Sequence, residues 1–162
     1  MTNVESQIID DDGSCRDINF PDVTSPKAIA LLELIKSFCT LDDASNNTGD
    51  KLDVSQLENS IASLPSDSIT SRWSSSRLIK HLQLFFSWDN ADKVFIEITF
   101  FPNDVDRQSF SLVAFQDWLG PILKSLDTTE YYVRYENASW KYGDTGKYSG
   151  VIISNASTAR SG

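Results

Sequence analysis

Residues 140–150 read W-K-Y-G-D-T-G-K-Y-S-G, and a Gly-Lys pair in a glycine-rich stretch is the raw material of a phosphate-binding loop. Such a loop needs Gly, four residues and then Gly-Lys-Ser/Thr, set between a strand and a helix, so that backbone amides and the lysine surround the phosphates. Counting back from Gly146-Lys147, Lys141 stands where the first glycine belongs, and Tyr148 stands in place of the hydroxyl residue. The S-G-V-I-I-S that follows is β-branched and reads as a strand, where the phosphate loop requires a helix. The stretch is therefore read as a β-hairpin tip, with Asp144-Thr145 between glycines that tolerate positive φ.

Other patterns fail in similar ways. Asp43, Ser45 and Asn47 imitate the start of a calcium loop, but Thr48 takes the place of its glycine and Val54 that of its bidentate acid. Without that last carboxylate the site loses its main charge, and a solvated loop is expected instead. Asp10-Asp11-Asp12 repel one another and lack a closing ligand, so they read as a charged arm. His81 is the single histidine. Zinc sites and Ser/His or Cys/His catalysis need a histidine with matched partners, and one beside an apolar strand is expected to be structural. Glu97 and Glu136 on neighbouring strands would suit glycoside hydrolysis if their carboxyls stood about 5–10 Å apart, but nothing in the spacing places them so. No catalytic residue, metal ligand or cofactor is assigned.

Charge is more informative. Fourteen Lys and Arg against 23 Asp and Glu leave −9, with a pI near 4.4. Residues 1–60 hold 12 acids and four bases, a net of −8, and the remainder is nearly balanced at −1. Such a chain repels nucleic acid and anionic lipid and attracts basic proteins, although acidity also serves solubility. The candidate partner-binding residues are Asp10, Asp11, Asp12, Asp42, Asp43 and Asp50, with Trp140, Tyr142 and Tyr148 as aromatic anchors. Tyr131, Tyr132, Arg134, Tyr135, Lys141 and Lys147 add bases among rings, as in proteins that stack single-stranded nucleic acid. No RRM-type or KH-type signature accompanies them, and cross-strand pairing or an interface is the simpler use.

At 162 residues, 40% of them hydrophobic and with nine Phe, five Tyr and four Trp, the chain is expected to form one domain over 1–162 around a sizeable core. No run approaches the roughly 20 apolar residues of a membrane-spanning helix. MTNVESQIIDDDGS has neither the basic nor the apolar region of a secretory signal, so a cytoplasmic location is expected. Cys15 and Cys39 read as free thiols.

The elements that must position these residues follow from periodicity. Residues 1–24 are expected to be a loose acidic arm or a short edge strand. Ser25-Pro26 opens a helix, with Ser25 as its cap and Ala28, Ile29, Leu31, Leu32, Leu34, Ile35, Phe38 and Cys39 as its apolar face. Turn chemistry in DDASNNTGD, 42–50, ends it. Asp53 and Gln56 form a capping box for a second helix that lasts to Pro65. The serine-rich 66–76 reads as a loop, or at most a short helix around Trp73. From Lys80 the period changes to two, giving a hairpin of Leu82–Trp88 and Val94–Phe100 that Pro102 stops. Ser111 caps a third helix that Gly120-Pro121 should kink or divide. A second hairpin, 129–139 with 147–154, closes the fold, and 155–162 is a frayed tail. The order predicts an α+β fold, with an antiparallel sheet of about four strands in two hairpins and helices packed on one face.

With its acidic first third and its aromatic hairpins, KVFIEITFF and EYYVRYENASWKYGDTGKYSGVIIS, the chain resembles the immunity proteins that neutralise bacterial polymorphic or contact-delivered toxins. The resemblance implies a small cytosolic α+β protein without catalytic motifs, bound to a basic, nuclease-like toxin domain and masking its active site. The alternative is an adaptor or assembly subunit that homo-oligomerises through its aromatic hairpins. An unrecognised enzyme or small-ligand binder and a nucleic-acid binder complete the readings.

Overall fold

The computed structural model describes residues 3–62, 68–90, 93–136 and 150–155. Its centre is the expected apolar hairpin, β4 (His81–Asn90) with β5 (Lys93–Phe100). Leu82, Leu84, Phe86, Val94, Ile96, Ile98 and Phe100 are buried in alternation with partly exposed neighbours, as period-two patterning requires. The second expected pairing is also present, β6 (Tyr132–Tyr135) against β7 (Val151–Ser154).

Among the described residues the sheet is nevertheless seven-stranded, in the order β2-β3-β4-β5-β1-β6-β7 and antiparallel throughout. Four strands was too few, and each addition has its own cause. β3 (Ser68–Ser75) is the serine-rich stretch expected as a loop. It buries Ile69, Ser71 and Trp73 on one face, and Ser71 interrupts the apolar alternation while Trp73 Nε1 donates to Ser71 Oγ (2.8 Å) and Ser71 Oγ donates to Leu84 O (3.2 Å). β2 (Cys39–Asn46) takes in Asp42–Asn46, expected as a turn. A bulge between Leu41 and Asp43 breaks its period, and Cys39, assigned by sequence to the helix, caps that helix and begins the strand.

β1 (Arg16–Val23) corrects the loose arm most strongly, because it lies inside the sheet between β5 and β6. Ile18 and Phe20 point into the core, whereas Asp17 and Asn19 are buried on the other face. Buried polar residues between apolar ones hid the strand. Before it, α1 (Asn3–Ile9) is fixed at both ends. Its Glu5 Oε1 accepts from Leu112 N (2.9 Å), at the start of another helix. Arg16, fully buried, donates through Nε to Gln7 O (2.8 Å) and through Nη2 to Asp10 O (2.9 Å). Arg107 also donates to Ile9 O, so two cations meet the negative end of α1.

The longer helices follow their sequence signals closely. α2 (Ser25–Phe38) buries Ala28, Leu31, Leu32 and Ile35. Its cap residue is Thr24, not Ser25, whose hydroxyl is buried inside the first turn. α3 (Val54–Ala62) has the expected capping box in full: Gln56 N donates to Asp53 Oδ1 (2.8 Å) and Asp53 N to Gln56 Oε1 (2.9 Å). α4 (Leu112–Ser125) is capped by Ser111 Oγ, which accepts from Ala114 N (3.0 Å). It runs unbroken through Pro121. Pro121 and Asp117 are both exposed, so the carbonyl that loses its donor faces water. Phe115 of α4 meets Phe100 of β5 at 6.4 Å between ring centroids, and the buried helix residues join Ile18, Leu84, Ile98 and Val133 in one core.

Candidate functional site

The antiparallel register brings the start of β1, the end of β5, the start of β4, the end of β3 and the start of β2 to one end of the sheet. A groove of about 390 Å³ opens there, lined among others by Asp42, Asp43, Arg72, His81, Phe101 and Asp104. Each lining residue has a local reason for its place. Phe100 turns into the core, so its neighbour Phe101 must turn out, and it is 50% exposed. Pro102 then opens a 3-10 turn, Pro102–Asp104, and Lys80 N donates to Asp104 O (2.8 Å), which ties that turn to the strand opposite. His81 begins β4, and its Nδ1 lies 3.0 Å from Asp104 Oδ1.

The acids of this groove differ in how far they are neutralised. Asp43 accepts from Lys51 Nζ (2.9 Å) and from Arg72 Nη2 (3.1 Å), and those two bonds hold its carboxyl below the usual range. Asp42 takes a hydrogen bond from the Ser74 hydroxyl. Among the described residues no lysine or arginine pairs with Asp42 or Asp104. With histidine neutral, three carboxylates against one guanidinium leave the lining two charges negative.

The remaining sequence candidates lie elsewhere. Asp10, Asp11 and Asp12 are exposed in the turn before β1. Gly13, at φ +82°, lets that turn close, and Ser14 N and Oγ both bond Asp12 Oδ1 (3.0 and 2.7 Å). Burial works against the charge of Asp12, but the Ser14 bonds and Arg16 outweigh it and bring the carboxyl down to about 2. β1 stands four strands from β2, about 19 Å at roughly 4.8 Å per strand. Asp50 is exposed beyond the other end of β2, about 10 Å from Asp43 at ~3.3 Å per residue, in a turn closed by Asn46. The acidic set is thus divided into separate places. Trp140, Tyr142 and Tyr148, and the whole G-D-T-G tip, lie outside the described residues.

A second polar group is buried on the sheet face away from the helices. Asn19 Nδ2 donates to Glu97 Oε2 (2.9 Å), Arg134 Nε donates to Asn19 Oδ1 (2.9 Å), and Thr99 Oγ1 donates to Asp17 Oδ1 (2.7 Å). Arg134 Nη2 lies 3.6 Å from Glu97 and 4.0 Å from Asp17. Burial raises both carboxyls above their usual values in spite of these bonds. Asp17, Asn19 and Arg134 are at most 7% exposed, whereas Glu97 is partly exposed and Thr99 lines the groove. It also separates the carboxylate pair considered from sequence. Glu97 bonds Asn19, whereas Glu136 lies against Cys15 N, four residues and about 13 Å further along the strand, beyond the glycosidase range.

His81 and Asp104 resemble two members of a catalytic triad, but among the described residues no hydroxyl or thiol bonds the other ring nitrogen. Burial also lifts the thiols of Cys15 to about 12 and Cys39 to about 11, far from a reactive thiolate. The described residues contain no group of three or more His, Cys, Asp or Glu fit to hold a metal, and no described helix is long and apolar enough to cross a membrane. The groove presents negative charge beside an exposed ring. Sequence reading reached Asp42 and Asp43 but missed Asp104, His81 and Phe101 as their companions. The signal for Phe101 was the doubled F-F before Pro102, since adjacent strand residues face opposite ways.

No protein-family model matches the chain, and no curated protein matches it. Among solved structures, it is similar to a chain of the 1.75 Å crystal structure of the toxic C-terminal tip of CdiA from Pseudomonas aeruginosa in complex with immune protein. The TM-score is 0.56 at 14% identity, covering 76% of this chain and 87% of that one. The α+β fold is therefore shared with a chain of a toxin–immune protein complex, in keeping with the resemblance read from the sequence.

Proposed function

We propose that this protein is an immunity protein, a non-catalytic acidic binder that holds a basic, nuclease-like toxin domain in a tight complex and masks its active site. The fold likeness to a toxin–immune protein complex carries the reading. The net charge of −9 supports the immune half of such a pair, because a nuclease cleft must attract polyanions and an acidic protein competes for the same field. The acids around the groove and before β1 supply the steering charge. In this reading the protein acts by occupation, and neither His81 nor the Asp17–Glu97 cluster takes part in bond cleavage.

The test is affinity capture from the native host, followed by expression of the captured partner with and without this protein. Cells should die with the partner alone and survive when both are made. Association measured by stopped flow should slow at least tenfold between roughly 0.05 and 0.5 M salt, as electrostatically steered encounters do. Toxicity of this chain when expressed alone would assign it to the toxin half and refute the proposal, and a salt-independent rate would remove its electrostatic basis.

A further inference from the structure

The groove at the strand ends combines three features. Its volume of about 390 Å³ lies within the range of about 300–1,000 Å³ typical of binding sites. Asp42 accepts from the Ser74 hydroxyl and Asp104 lies 3.0 Å from His81 Nδ1, with no lysine or arginine among the described residues on either, whereas Asp43 is already held by Lys51 and Arg72. Phe101 stands half-exposed beside them although Phe100, next in the chain, is fully packed. Carboxylates lining one groove with a half-exposed ring suit a planar guanidinium, which forks onto carboxylates and stacks on aromatic rings. The protein already makes the stacking half of this contact internally, with Arg77 4.6 Å from the Phe38 centroid and Arg16 4.5 Å from that of Tyr135.

We infer that the groove is the receptor for an arginine side chain of the partner polypeptide, its guanidinium set between Asp42 and Asp104 and against Phe101. The inference rests on the immunity reading and narrows it, since one buried arginine gives a specific anchor where diffuse acidity gives only attraction. Arginine is preferred to lysine because an ammonium makes neither the fork nor the stack.

The probe is acetyl-Arg-Arg-Arg-amide, titrated into the ¹⁵N-labelled full chain at low salt and followed by amide chemical shifts. Saturable shifts are expected at His81, at 99–101 and 103–104, and at Asp42 and Asp43, with the lysine tripeptide several-fold weaker. Asp42→Asn with Asp104→Asn should weaken binding about tenfold, the loss of two partly exposed charge pairs. Phe101→Ala, at a half-exposed site that the core does not depend on, should weaken it about threefold and serves if the double variant folds poorly. Shifts gathered at Asp10–Asp12, an equal response to the glutamate tripeptide, or unchanged affinity in Phe101→Ala and the double variant would overturn the inference. So would movement of the same resonances on concentrating the protein alone, which would make a second copy the occupant. If the groove fails while co-expression still protects cells, the immunity reading stands and its interface lies on another surface.

Discussion

Replacing Arg16 with methionine tests the claim that a buried guanidinium fastens the acidic N-terminal segment to the sheet. The side chain is fully buried and donates to Gln7 O, Asp10 O, Asp12 Oδ1, Ser14 O and Oγ, and Cys15 O. Methionine keeps much of the aliphatic stem and removes every donor. A buried acceptor left unmatched costs about 1–3 kcal/mol. Asp10 is exposed, so its carbonyl regains water and falls at the low end, while Gln7 O, at the last turn of α1, falls higher. Loss of the guanidinium's own desolvation offsets part of this. The expected destabilisation is about 3 kcal/mol, a fall in Tm of about 6–12 °C for a chain of this size, read by calorimetry and urea unfolding. There is a pH signature as well. With a folded value of about 2 against 3.8, Asp12 adds stability that is present above about pH 4 and lost as pH falls toward 2. Without Arg16 that acid-side loss should become shallower. A Tm within about 2 °C of wild type, with an unchanged acid limb, would refute the reasoning.

Asp53→Ala removes one half of the α3 capping box and should cost about 1 kcal/mol, seen as a drop of about 2–4 °C in Tm; no change would mean that packing alone fixes that helix end. Asp17 and Glu97 have raised carboxyls, so their contribution is fully present below their unfolded values and is lost as pH rises through the folded ones. Glu97→Gln should therefore lose less stability than wild type as pH rises from about 4.5 to 7 in urea titrations, and parallel curves would contradict the burial argument.

The parts of the fold legible in sequence were those where one physical signal dominated. Alternating Val94, Ile96, Ile98 and Phe100 fix β5, and Asp53/Gln56 and Ser111 fix two helix starts to the residue. Legibility failed where polar residues face inward. Ser71 in β3 and Asp17 and Asn19 in β1 are satisfied by partners far along the chain, Leu84 O, Thr99, Glu97 and Arg134, and no local window contains those partners. The bulge after Leu41 hid β2 for a different reason, since a one-residue slip cancels the period that betrays a strand. The candidate site shared this fate. Asp42 and Asp43 were recognisable as acids, but their companions arrive from β4 and the turn after β5, about 40 and 60 residues later in the chain, through a sheet register that composition does not encode.

The central place of β1 also sets a timetable for the chain as it is made. Arg16 pairs with Phe100, 84 residues later, and with Tyr135, 119 residues later. At a synthesis rate of about 5–20 residues per second, the strand waits roughly 4–17 s for its first neighbour and about 6–24 s for its second. β2 to β5, by contrast, form a run of sequential neighbours that can assemble as they emerge. Until Phe100 emerges, the strand that carries Ile18 and Phe20 has neither edge covered, which leaves β1 open to chaperones and to mispairing.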